Sequence, residues 1–348
     1  MHARRTLTGI ALIAAGALAM SGCTPGGADA DTSSGETIKL TYAFFAPAAS
    51  FPAVQMQEWA DQLNERTDGR VEVELFVGGT LLGSGDIYDG VTQGVVDVGL
   101  DSPAYDTSRF PLSSVINVPI GMENAETASK TFLDLLTEFE PEEFDDFEII
   151  TAFTTEAAYI QSEDALTNRD DLDGVSLRGS AAVVPVLEAL GAAPVGMSMS
   201  EVSEAMNTGV IKGYVSSREV MKDFGLAESV KYVTDYPLGI SNSFVAVMDK
   251  ARFDSLPEDV QQVIRDLRVE MMEFASGVHD EAGVQSALDY AKDDFGVETV
   301  EVDADDVDAW DEAVNARQAE WVAANESSSF DAQEVLDRAL ELAADNGE

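Results

Sequence analysis

The sequence predicts an α/β fold built as two lobes, and three observations carry that expectation. Short β-rich runs alternate with helical runs along most of the chain, as strands and crossover helices do in largely parallel sheets. A helix that ends at a glycine and leads at once into an apolar strand occurs twice, at Gly94 before Val95–Leu100 and at Gly209 before Val210–Val215. Pro257 to about Phe295 keeps a helical pattern with no internal proline. As one helix that run spans roughly 58 Å at about 1.5 Å per residue, long enough to pass beneath two lobes. Two helices broken near Gly277 satisfy the same residues.

Each element follows from local pattern. Ile38 to Phe45 alternates and is β-rich, a first strand. Pro52 opens a helix through about Arg66 with Val54, Trp59 and Leu63 on its apolar side, and Thr67-Asp68-Gly69 ends it. Arg70 to Val77 alternates as a second strand, broken by Gly78-Gly79. A short helix over Asp86 to Gln93 precedes the third strand, Val95 to Leu100. Asn124 to Glu140 reads as a helix and Phe147 to Phe153 as a strand. The second half repeats the theme, with strands over Val175–Arg178, Ala192–Val195, Val210–Val215 and Phe244–Met248. Between them lie helices over Ala181–Leu190 and Ser200–Asn207, the latter N-capped by Ser200. After the long run come a short strand over Val297–Val302 and helices over Asp305–Ala324 and Asp331–Ala344.

Composition narrows the function. The chain has 348 residues, 45% of them hydrophobic, enough for about two domains of ~150 residues. Asp and Glu number 65 against 20 Lys and Arg, a net charge of −45, which repels phosphate backbones and excludes a basic nucleic-acid face. Histidine occurs only at His2 and His279 and cysteine only at Cys23. That leaves no zinc cluster, no Cys–His pair and no intrachain disulfide, so neither a metal nor a cofactor is expected. Gly83-Ser-Gly-Asp-Ile-Tyr lacks the third glycine of a dinucleotide loop. Asp303-Ala-Asp-Asp-Val-Asp lacks the turn glycine and distal glutamate of a calcium loop. His279 sits inside the long helical run and reads as a solvated or core-satisfied residue.

Residues 1–23 read as a targeting segment. Arg4 and Arg5 form a positive start, Thr6 to Met20 is apolar but short for a spanning helix of ~20 residues, and Ser21-Gly22 precede Cys23. Met20-Ser-Gly-Cys23 resembles a bacterial lipobox, which makes Cys23 the lipid-attachment residue of an exported protein anchored at the outer face of the membrane. An ordinary cleaved signal with an incidental cysteine is the competing reading. Residues 24–37 are rich in Gly, Ser, Thr and Asp and read as a flexible tether.

One residue of the body stands out. Arg178 ends a predicted strand beside Val175, Leu177, Gly179 and Val183, and a guanidinium in such company needs an anionic partner. Ligands of open α/β sheets bind outside such strand ends, where an arginine can take a carboxylate with two parallel bonds. A structural ion pair with one of the many acids is the alternative.

A series of segments then resembles one family. Asp171-Leu-Asp-Gly-Val-Ser-Leu-Arg178, Leu190-Gly-Ala-Ala-Pro-Val-Gly-Met-Ser-Met-Ser-Glu-Val202 and Ala205-Met-Asn-Thr-Gly-Val-Ile-Lys-Gly213 are similar to the corresponding runs of the solute-binding proteins of TRAP transporters. Gly78-Gly-Thr-Leu-Leu-Gly83, Thr67-Asp-Gly-Arg-Val71 and Phe253-Asp-Ser-Leu-Pro-Glu-Asp-Val-Gln261 join the series, in order, across about residues 38–295. The resemblance implies a two-lobed, periplasmic-binding-protein-like receptor with a hinge and a long helix bracing both lobes. Lobe 1 would take residues 38–158 and about 240–275, and lobe 2 residues 159–239 and about 276–348. It further implies a monomer that binds a small organic acid and hands it to membrane permease subunits. The matching arginine, Arg178, is the family's carboxylate clamp. The rest of the pocket departs from the family: Tyr159 is the nearest polar residue to a second arginine, Ser216 beside Ser217 replaces an asparagine, Lys212 replaces an aspartate and Met199 replaces a ligand-stacking aromatic. Asn242 is a further polar expectation, and Phe45, Asp101 and Tyr105 would face the cleft from the first lobe. An ABC-type receptor and, remotely, an exported carboxylate-based hydrolase are the rival readings.

Overall fold

A computed structural model of the chain describes residues 37–347. The expected leader, Cys23 and nearly all of the tether lie outside the described residues. The first half runs β1 (Ile38–Phe44), α1 (Phe51–Arg66), β2 (Val71–Phe76), α2 (Ile87–Thr92), β3 (Val98–Asp101), α3 (Ala125–Phe139) and β4 (Phe147–Thr154). The second contributes β5 (Tyr159–Ser162), α4 (Arg169–Leu172), β6 (Ser176–Gly179), α5 (Val184–Leu190), β7 (Ala193–Gly196), α6 (Val202–Asn207), β8 (Gly213–Ser216), α7 (Val220–Asp223) and β9 (Tyr232–Thr234). The chain returns through β10 (Ser243–Asp249) and α8 (Lys250–Asp254) to α9 (Glu258–Gly277) and α10 (Val284–Phe295). It ends with β11 (Glu298–Val300), α11 (Val307–Ala324) and α12 (Ala332–Asn346).

The strands form two sheets, a five-stranded one ordered β2-β1-β3-β10-β4 and a six-stranded one ordered β11-β9-β5-β8-β6-β7. Pairing is mixed rather than largely parallel. β10 runs antiparallel to β3 and β4, and β5 antiparallel to β8 and β9. Both are strands that the chain enters directly after crossing from the other sheet, with no crossover helix to reverse it. The two crossings are stitched together: Thr155 N donates to the Asn242 carbonyl at 3.0 Å, and Ala158 N to the Gly239 carbonyl at 2.7 Å. This double strand is the covalent hinge.

Local chemistry explains most elements. In α1 the buried stripe is Met56, Trp59, Ala60 and Leu63, which follow the i, i+3, i+4, i+7 rule. Val54, expected on that side, is 37% exposed because it precedes Trp59 by five residues and so lies off the stripe. Gly94 and Gly209 adopt φ of 69° and 70°, the left-handed turns that end the preceding helices, although β3 and β8 begin several residues later. Ser198, not Ser200, makes the cap before α6: its hydroxyl accepts from Ser200 N, and Glu201 accepts from Ser198 N at 3.0 Å. Residues 199–201 form a 3-10 turn, so the α-helix starts later than expected.

The long run is one helical rod rather than two broken helices. Between α9 and α10 the six residues Val278–Gly283 form a π turn, which widens the helix without ending it. α9 packs on α1, α3 and β4 of the first sheet, and α10 on α7 of the second. The rod therefore joins the lobes a third time. α11 packs on α5, but α12 crosses back to α3, so the C-terminal helix sits on the first lobe and not, as expected, on the second. No helix among the described residues is long and apolar enough to cross a membrane.

Candidate functional site

Arg178 lies in β6, in register with Val195 of β7 and Tyr214 of β8, and is 0% exposed. Its Nε donates to the Met197 carbonyl at 2.9 Å and Nη1 to the Val215 carbonyl at 3.3 Å. Its Nη2 is buried without a hydrogen-bond partner. Among the described residues its fixed partners are thus carbonyls, not a carboxylate, and burial pulls its pKa below the usual arginine value. A buried cation so placed carries an uncompensated charge that an incoming carboxylate would neutralise.

Across the cleft, the half-buried Tyr105 ring lies 5.8 Å from the guanidinium carbon, and its hydroxyl accepts from Met199 N at 3.3 Å. Phe45 meets Tyr105 edge-on at 5.7 Å. Phe45, Tyr105, Met199 and Asn242 share the walls of one cavity with Phe51 and Phe244, and Arg178 adjoins it through Tyr105. The enclosed space is about 20 Å³, room for one water, so a solute requires the walls to part. A wider groove of about 380 Å³ runs past Ala182, Pro119 and Trp321, but it holds none of these residues.

The remaining expected residues, and Asn242 too, have hydrogen bonds and packing of their own. Ser216 and Ser217 are fully buried at the end of β8: Ser216 Oγ accepts from Ser241 Oγ at 3.4 Å, and Ser217 Oγ donates to Glu219 at 2.8 Å. Asn242 donates to Ser241 Oγ at 3.2 Å and keeps its own buried Oδ1 without a partner. Tyr159 lies beneath the Arg218 guanidinium, 4.1 Å from the ring centre, and Arg218 in turn pairs with Glu156 at 2.7 Å. It is not on the cavity wall. Asp101 accepts from Gly85 N and Ser102 N, each at 2.9 Å, tying down the turn after β2. Burial raises its pKa to about 7 against those bonds.

Sequence reasoning missed an ionic cluster at the hinge. Glu219 and Asp223, at and within α7, line the cavity. His279, in the π turn, is 0% exposed, with Nε2 3.2 Å from Glu219 and Nδ1 3.1 Å from Asp280. Burial opposes the imidazolium, yet Glu219, Asp280 and Glu156 outweigh it and raise the pKa to about 10. Asp280 also accepts from Ala125 N and Glu126 N at 3.1 and 2.9 Å, capping α3. Only the rarity of histidine in the body marked this place in the sequence. No group of three or more His, Cys, Asp or Glu among the described residues is arranged for a metal ion.

Comparison with known proteins places these features in context. The family model for bacterial extracellular solute-binding protein, family 7 (DctP), matches residues 44–325. The C4-dicarboxylate-binding periplasmic protein DctP of Rhodobacter capsulatus is 30% identical over 155 residues, 43% of this chain and 45% of that protein, so the match spans less than half of the relative's length. A TRAP periplasmic solute-binding protein from Desulfovibrio salexigens, solved as an open complex, is 36% identical with a TM-score of 0.77, covering 88% of this chain and 96% of that one. A TRAP solute-binding protein from Rhodoferax ferrireducens, solved with copurified benzoate, is 26% identical with a TM-score of 0.81 over 89% and 99% of the two chains.

Proposed function

The chain belongs to the bacterial extracellular solute-binding proteins of family 7, the TRAP receptors rather than an enzyme family, and from that premise we propose how it works. It receives a small organic acid in the cleft between its two sheets, clamps the carboxylate on Arg178, closes about its hinge and delivers the solute to membrane permease subunits. The carrying observation is Arg178 itself: a fully buried guanidinium with a free Nη2 and no described carboxylate partner, toward the carboxyl end of β6, which is flanked by β7 and β8. Closure brings Tyr105 and Phe45 of one lobe against Arg178 and Met199 of the other, excludes water and strengthens the ionic contact. The relatives' dicarboxylate and benzoate share a carboxylate and little else, so the family transfers the anchor and not the solute. The body is exported and held at the membrane by lipid on Cys23.

The test is a thermal-shift screen over organic acids, in which a bound solute raises stability by mass action. A hit is expected to vanish in Arg178→Ala. Unchanged affinity in that variant would overturn the clamp.

A further inference from the structure

We infer that the solute is a zwitterion, with a carboxylate on Arg178 and, at the other end, a cationic ring or alkylated nitrogen held by Glu219, Asp223 and the surrounding aromatic rings. This rests on the reading of Arg178 as the carboxylate clamp and adds the specificity of the opposite wall.

Three features of the cavity point this way. Its two ionisable acids, Glu219 and Asp223, stand on the wall with no lysine or arginine among the lining residues. Arg178 is not itself among the lining residues and adjoins the cavity through Tyr105, whose ring lies 5.8 Å from the guanidinium carbon, so the acids form a pole distinct from the clamp. Asn242 adds a buried Oδ1 acceptor that has no donor of its own. Phe44, Phe45, Phe51, Tyr105, Phe224 and Phe244 enclose the same space. Ring faces attract cations, and Asn242 offers Nδ2 to Ser241 while its Oδ1 has no donor, so an unsubstituted apolar tail would leave that acceptor buried and unmet. A second carboxylate would face two acids and the negative faces of the rings.

The groups around the acids set the charge balance. Asp223 is surrounded by Glu219 on α7, His279 on the π turn, Lys222 on α7 and the Phe51 amide that begins α1. His279 is itself shared with Asp280 and Glu156. Burial and Glu219 hold the Asp223 carboxyl up at about 7. A ligand cation favours its ionised form, so binding releases a proton and affinity for a zwitterion rises from pH 5 to pH 8. A monoanion of the same shape lacks that slope.

The experiment uses matched pairs that differ only by the charge on one atom. N-methylpyridinium-3-carboxylate is compared with 3-methylbenzoate, and N,N-dimethylprolinium carboxylate with 2,2-dimethylcyclopentanecarboxylate, by calorimetry and thermal shift. At least one zwitterion is expected to bind at least tenfold more tightly than its partner, with the pH slope above. Asp223→Asn and Glu219→Gln, each checked for an intact cooperative melt, should shrink that preference toward unity while binding still requires Arg178. Tighter binding of the monoanions, lost in Arg178→Ala, overturns the zwitterion and keeps the clamp. A preference that survives both acid variants overturns the assignment of the acids. A panel in which neither zwitterion binds overturns the zwitterion, while the clamp stands or falls by whether Arg178→Ala abolishes binding of a hit from the organic-acid screen.

Discussion

Replacing Arg178 by methionine separates binding from stability. The side chain is similar in length and apolar, so it fills the buried volume without a charge. Two opposing terms act on the ligand-free protein. The variant loses the bonds to the Met197 and Val215 carbonyls, each about 1.5–3 kcal/mol for a charged donor. It also removes a buried guanidinium that has no described carboxylate partner, a desolvation cost of several kcal/mol. The terms nearly cancel, so the ligand-free variant should melt within about 4 °C of the parent, given ~2–4 °C per kcal/mol in large domains. Binding has no such compensation. Truncating one partner of a buried, hydrogen-bonded charge pair costs about 2–5 kcal/mol, or roughly thirty-fold to several thousandfold in Kd. With solute at about 100 times the parent's Kd, the parent gains ~2.7 kcal/mol, a rise of about 5 °C or more, and the variant should gain about 1 kcal/mol or less. Differential scanning calorimetry with and without solute reads both quantities. A variant that keeps the solute shift refutes the clamp. A ligand-free melt that collapses by 10 °C or more makes Arg178 a structural strut.

Four further outcomes follow from other sites. The folded state holds the His279 proton above the ordinary imidazole range, so its stabilisation is complete below about pH 6.5 and is lost as pH rises through about 10; urea melts from pH 6 to 10 should show the decline, and His279→Gln should flatten it. Asp280→Ala removes the cap on Ala125 and Glu126 and should lower stability by about 1–2 kcal/mol, whereas Asp280→Asn, which can still accept, should lose less in the same melts. Cys23→Ser should move the exported protein from the membrane fraction to the soluble fraction, as read by fractionation and fatty-acid labelling. If the net charge of −45 is a coat suited to saline medium, the melting temperature should rise from low salt to about 1 M, and a flat profile removes that reading.

What was legible in the sequence was what local pattern encodes. Alternation placed β1 and β2, Pro52 and the apolar spacing placed α1, and the unbroken run after Pro257 placed the long rod. β5 and β9 were missed because they are short and are defined by partners far along the chain, β5 by β8 and β9, and β9 by β5 and β11. The π turn was invisible for a related reason. Gly277 marked a possible break, but the turn that follows is held by contacts of His279 and Asp280 with α3 and Glu219, over a hundred residues and some sixty residues away. The same split runs through the site. Arg178 was visible because a guanidinium among apolar neighbours is chemically conspicuous before any fold is known. Asp101 shared the right strand end, yet its carboxylate was already committed to Gly85 and Ser102, a fact no spacing reveals. Glu219 and Asp223 were two among 65 acids, and nothing in their neighbours set them apart. Their significance appears only when the hinge brings α7, the π turn and the start of α1 together around one cavity. On the proposed reading, the anchor of the solute is written in local sequence and its selectivity in tertiary contacts, so a family resemblance can carry the first and not the second.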